Sequence, residues 1–204
     1  AIWVLHAVRD SRALEPIIAC LTDENAEVRW SAVSVLGLWG DARATRPLIK
    51  SLNDSDDNVR MGAVRSLGEI KDTRAVQAII EKLDDPAIGI PETAIEALVK
   101  IGDPDAAHAL MPYFTHENIR LRRKAISATG SLKSEDAIDD LIKALSDWDM
   151  EGSYIPNTEH IAPGGYWCIC HYAAQALEKI GTARALEVVN KWRSKEYPDG
   201  GKMS

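Results

Sequence analysis

The side chains best suited to chemistry gather late in the chain. His160, Cys168, Cys170 and His171 offer the imidazole and thiol donors that hold zinc or iron. With a helix running from Tyr166 onward, Cys168 and Cys170 stand about 200° apart around its axis and cannot share a tetrahedral ion. Cys168 and His171, three residues apart, can share one, with His160 arriving from a loop and a fourth ligand lacking. These residues therefore read first as core or boundary positions, no metal is assigned, and a metal-binding adaptor stands only third among the functions considered. Three cysteines, Cys20 included, are an odd count without a disulfide framework, which points to a reducing compartment and a cytoplasmic protein. The Gly164-Gly165 pair has no strand before it and no Lys after it, so it is not a phosphate loop, and no nucleophile elbow or HExxH motif occurs. The balance leans away from an enzyme.

Composition narrows the classes further. Among 204 residues, 46% are hydrophobic and 27% charged, the balance of a folded globular chain. No apolar run approaches the roughly 18–20 residues of a membrane span. A net charge of −7 excludes the basic footprint of a nucleic-acid binder, and Arg120, Arg122, Arg123 and Lys124 form a single basic knot.

The elements that must position any site are set by an internal repeat. Leu5, Leu36, Leu67 and Leu98 recur every 31 residues; Thr129 takes the next place and Leu177 follows after a 17-residue insertion. Around them Val28, Arg29, Ala32, Val33, Leu36, Gly37 and Asp41 return as Val59, Arg60, Ala63, Val64, Leu67, Gly68 and Asp72. Apolar residues fall at helical spacing, Leu48, Ile49 and Leu52 on one helix and Val59, Ala63, Val64 and Leu67 on the next, while strand alternation is absent. Polar turns such as Asp54 to Asn58 separate the two. The pattern predicts an all-α, right-handed α-solenoid of antiparallel helix pairs over residues 1–194, with pairs near 12–38, 43–70, 74–101, 105–132 and 136–180 and a last helix near 183–194. Residues 195–204 read as a flexible tail. Ala1 aligns with Ala32, inside a helix, so further chain is expected before it. Arg29, Arg60 and Arg122 recur opposite Asp41, Asp72 and Asp103, which predicts a ladder of ion pairs between repeats. Pro91 falls in a first helical turn, where free amides tolerate it, whereas Pro16, Pro47 and Pro112 are expected to kink their helices.

The phrase DxRAxxxLIxxLxDxxxxVRxxAVxxLGxI, carried by Asp41 with Arg43, Leu48 with Ile49, Val59 with Arg60 and Leu67 with Gly68, resembles the HEAT-like repeats of the phycobilisome (PBS) lyase family. The resemblance covers nearly the whole chain and is specific for fold. It implies, as an alternative function, a bilin lyase or bilin-handling subunit. A phycocyanobilin-type bilin would then be the cofactor, with His171 or Cys170 near the chromophore and a second solenoid subunit or a phycobiliprotein as partner. An iron hydroxylase of the same repeat class carries His-Glu pairs in its second helices. The aligned pairs here are Trp30-Ser31, Met61-Gly62, Glu92-Thr93, Arg123-Lys124 and His171-Tyr172, and the one His-Glu pair, His116-Glu117, falls in a turn.

Function should lie where repeats differ. The residue after the repeated Arg is Trp30, Met61, Glu92, Arg123 and His171, and one turn on stand Arg65 and Glu96. An aromatic, a methionine and paired charges on one row suit a protein partner. Twenty-one residues separate Asp147 from Ile169 where other repeats need about four, and they carry Trp148, Tyr154, Tyr166 and Trp167. A loop of this length and aromatic content is either a structural cover or a docking element. The sequence thus points to a scaffold or adaptor that binds another protein on its concave face and insertion loop, needs no cofactor, and uses these eleven residues as contacts.

Overall fold

The computed structural model describes residues 11–147 and 168–196, with side chains over 12–147 and 168–194. These residues form an all-α repeat fold of eleven α-helices: α1 (Leu14–Ala19), α2 (Ala26–Trp39), α3 (Thr45–Ser51), α4 (Asp57–Ile70), α5 (Val76–Ile80), α6 (Ile90–Ile101), α7 (Ala106–Leu110), α8 (Ile119–Ser131), α9 (Ile138–Ala144), α10 (Ile169–Ile180) and α11 (Ala183–Glu196). The helices follow the pairs that the 31-residue pattern predicts, a short one before a long one from α1 to α10, and α11 is long as well. Each short helix adjoins a 3₁₀ turn on at least one side. Pro16 and Pro47 each take the third place of a short α segment that follows such a turn, and Pro112 lies in the 3₁₀ turn after α7, so they mark junctions rather than kinks within one helix.

The described residues group into two compact units, one within Ala1–Asp103 and one within Pro104–Ser204. In the first, α2, α4 and α6 pack side by side; in the second, α8 packs on α10. The repeated glycine explains the close approach. A Cβ on Gly37 would stand 2.6 Å from Ser66 Cβ, one on Gly68 2.9 Å from Ala97 Cα, and one on Gly130 2.5 Å from Ala176 Cα. Each glycine thus admits the backbone of the next long helix. Leu36, Leu67, Leu98 and Leu177 are fully buried beside these contacts, and burying each is worth about 2 kcal/mol. Thr129, in the leucine place, is buried as well and donates its hydroxyl to the Ala125 carbonyl at 2.9 Å.

Three long helices start on a side-chain cap. Asn25, Asp56 and Asn118 accept from the backbone N–H groups of Glu27, Asn58 and Arg120. α6 and α10 lack such a cap and begin later in the repeat, with Pro91 in the first turn of α6 as predicted.

The arginine ladder exists, with other partners. Arg29 Nε and Nη2 donate to Asp54 at 2.7 Å each, and Arg60 does the same to Asp85 at 3.0 and 3.1 Å. Arg122 pairs with Asp147 at 3.3 Å. The third guanidinium nitrogen reaches back, donating to the carbonyls of Asp23, Asp54 and His116 respectively. Asp41 and Asp72 lie at the far end of each long helix, twelve residues or about 18 Å along the axis from the arginines, and cannot reach them. They accept instead from the Arg43 and Arg74 amides at the next turn, and Asp72 also accepts from the Thr45 hydroxyl at 2.8 Å. Hydrogen bonds from Arg29 hold the Asp54 carboxyl below its ordinary range. At Asp85 burial pushes upward, but Arg60, the Ala87 amide and Lys82 outweigh it and the net shift is down.

Candidate partner-binding site

In the first unit the row after the arginine is continuous. Trp30 on α2 is 41% exposed. Its indole leans on α4, because a Cβ at Gly62 would meet Trp30 Cδ1 at 3.6 Å. Met61, half-buried on α4, reaches onward: a Cβ at Gly89, just before α6, would meet its terminal methyl at 3.5 Å. Glu92 is half-buried in the first turn of α6, and Arg65 and Glu96 are exposed one turn further along their helices. The wide apolar contacts of Trp30 and Met61 thus lie beside charges of both signs.

Beside Trp30 opens a cleft of about 330 Å³, lined by Ala26, Glu27, Trp30, Asp56 and Asn58. The sequence pattern hides Glu27, Asp56 and Asn58, because they stand in helix-starting turns and Asp56 is the cap of α4. The recurrence of acidic residues at these helix starts was the available signal. The cleft offers an indole face with two carboxyl-bearing side chains, a setting for a cationic group.

In the second unit the row changes character. The Arg123 guanidinium carbon lies 5.6 Å from the centroid of the Tyr172 ring, a cation–π contact between α8 and α10. With Arg122 in the ladder, the basic knot of α8 is partly spent on internal contacts. His171 is buried, at 8% exposure, and so withdrawn from the surface where its place in the row would put it. Its ring meets the Trp192 ring of α11 edge-on, centroids 5.6 Å apart. His116 caps the turn before α8, its Nδ1 accepting from the Asn118 amide at 3.0 Å.

The cysteines also depart from expectation. Cys168 and Cys170 are joined by a disulfide, and Cys20 is free. Helix α10 begins at Ile169, so Cys168 precedes it with extended backbone, φ −69° and ψ 162°. The 200° separation of two helical residues therefore does not apply, and both sulfurs face one place. Trp148, Tyr154, Tyr166, Trp167 and His160 lie outside the described residues, as does the start of the chain at 1–10.

No helix among the described residues is long and apolar enough to cross a membrane. A family model of HEAT repeats matches four overlapping stretches, residues 1–58, 14–90, 45–118 and 76–151. No curated protein sequence matches. Among solved structures, a chain from the complex of CpcE and CpcF of phycocyanin lyase from Nostoc sp. PCC7120 superposes with TM-score 0.57 at 24% identity, over 95% of this chain and 86% of that one. The archaeal HEAT-like repeats protein from Thermococcus onnurineus NA1 gives 0.60 at 15% identity over 99% and 87%. A designed armadillo repeat protein in complex with the peptide (KR)4 gives 0.57 at 19% identity over 88% and 85%. At these identities the likeness is one of fold.

Proposed function

The chain belongs to the HEAT-repeat family, and on that premise we propose that it is a non-catalytic adaptor that binds another protein through the row on its long helices. The observation that carries this is Trp30, a large apolar side chain left 41% exposed beside Met61 and an acidic cleft. An indole at the centre of such a patch supplies the buried anchor on which most interface affinity rests, while surrounding charges set register. Glu27 and Asp56 favour a partner segment that lays a Lys or Arg over the indole face with an apolar residue against Met61. A designed repeat protein of similar fold is in complex with the peptide (KR)4, which supports this reading of the partner's chemistry.

The test is capture of a partner from native lysate by wild type, by Trp30→Ala and by a variant lacking residues 149–165, with an absorption spectrum of each eluate. A colourless, stoichiometric partner lost with Trp30→Ala and cross-linked from a photoreactive residue at position 61 supports the adaptor. A coloured eluate moves the function to bilin handling. Capture unchanged in Trp30→Ala but lost with the deletion overturns the row and makes the insertion the contact.

A further inference from the structure

Helix α10 opens on residues that no other repeat carries. Cys168 stands just before it, Cys170 takes the place of the ladder arginine, and His171 takes the place of Trp30. All three are buried. Cys168 Sγ lies 2.9 Å and Cys170 Sγ 3.6 Å from His171 Nδ1, and the three donor atoms fall within 4.8 Å of one another. The surroundings hold the cluster in place. The Asp147 carbonyl, on the residue that pairs with Arg122, accepts from the Cys170 amide at 2.8 Å. Trp192 packs on the imidazole, and the Arg193–Glu178 pair at 2.6 Å fastens α11 to α10.

This donor set suits one ion in particular once the disulfide is opened. Zinc takes thiolate at about 2.3 Å and imidazole nitrogen at about 2.0–2.1 Å, which places donors about 3.5–3.8 Å apart, within the spread of the cluster. Two thiolates and a neutral imidazole cancel the charge of Zn²⁺, and a neutral complex is what a buried place tolerates. The N-terminal end of a twelve-residue helix favours the thiolate forms. Three protein donors leave one tetrahedral position for water or another ligand.

We propose that Cys168, Cys170 and His171 form a redox-gated zinc site: the dithiol takes Zn²⁺ and the disulfide excludes it. In the opening step a dithiol reductant becomes a cyclic disulfide and delivers two electrons and two protons to the protein sulfurs. Zinc then binds both sulfurs as thiolates and releases those two protons to solvent. The three donors stand at the start of α10 in the second unit, whereas Trp30 and Met61 of the adaptor row belong to the first.

The experiment reduces the full chain, removes the reductant without air, and titrates Co²⁺ as a spectroscopic stand-in, followed by Zn²⁺ with elemental analysis. The expected result is about one equivalent of Co²⁺ with thiolate-to-cobalt charge-transfer bands, displaced by Zn²⁺, and none with the disulfide form. Cys168→Ser and Cys170→Ser abolish the bands. His171→Ala weakens binding by roughly 10-fold or more, since loss of outer partners alone costs that much. Cys20→Ser changes nothing. Absence of the bands in reduced wild type, their persistence in Cys168→Ser, or equal metal uptake by the oxidised chain overturns the proposal. Because the oxidised and reduced forms share one sequence, the comparison holds even where a variant misfolds. Its failure leaves Trp30-dependent capture untouched.

Discussion

Trp30 on α2 and His171 on α10 occupy one repeat position and lead opposite lives. Trp30 lies over a glycine, open on its outer side, beside the acidic turn that starts the next long helix. His171 is closed in by Trp192 of α11 and by two sulfurs that reach it because Cys168 is extended where the aligned Glu27, Asn58 and Arg120 already lie within a helix. The repeat therefore dictates where a side chain leaves the backbone. What lies above it decides whether that side chain is displayed or enclosed, and that comes from the neighbouring turn and from α11.

The comparison can be broken most severely at the glycines. Gly130→Val places a Cβ 2.5 Å from the Ala176 backbone, so α8 and α10 must separate. A loss of about 3 kcal/mol is expected, with hydrogen exchange accelerating in α8 and α10, and with it goes the enclosure of His171. The arginine ladder comes next. Asp85→Asn removes the charge that answers Arg60 and costs about 2 kcal/mol in chemical denaturation. This pair also sets part of the acid limb. The folded carboxyls of Asp54 and Asp85 lie below their ordinary value of 3.8, so their contribution is complete above that pH and is lost as pH falls through the lower folded values. Melting temperature should thus drop below about pH 4, and less steeply in Asp85→Asn.

The two row positions themselves sharpen the contrast. His171→Ala opens a buried space and is expected to cost about 1–2 kcal/mol. Trp30→Ala should change stability by no more than about 0.5 kcal/mol while removing partner capture. A large stability loss for Trp30→Ala would mean that the indole serves the fold, and the display would have to be sought elsewhere.

How much of this was legible beforehand follows from what each residue answers to. Leu36, Gly37 and their equivalents answer to stacking, which recurs with each repeat, so period, helix pairing and the arginine positions could be read directly. The arginine's partner could not. Each period offers one Asp after the long helix and another before the next, and only length along the helix separates Asp41 from Asp54. The Cys168–Cys170 bond was hidden for a different reason. It depends on the backbone at the residue before α10, which is extended, so that the helix starts only at Ile169. Glu27, Asp56 and Asn58 were masked by their second role in helix starts, which explains them without reference to a cleft. The division into two compact units left no mark in the 31-residue count.

The spacing of the ladder bears on how such a chain can change in length. Each rung joins an arginine to an aspartate 25 residues later, and the repeat is 31 residues long. Excising residues 42–72, one whole period, would bring Asp85 to the place Asp54 held relative to Arg29, and the rung would re-form with a new partner. Duplication works in the same way. Deletions and insertions of whole repeats are thereby grammatical in this molecule, while those of any other length break a rung when they fall between an arginine and its aspartate, so recombination between its own similar stretches can lengthen or shorten the chain and still produce a folded heir.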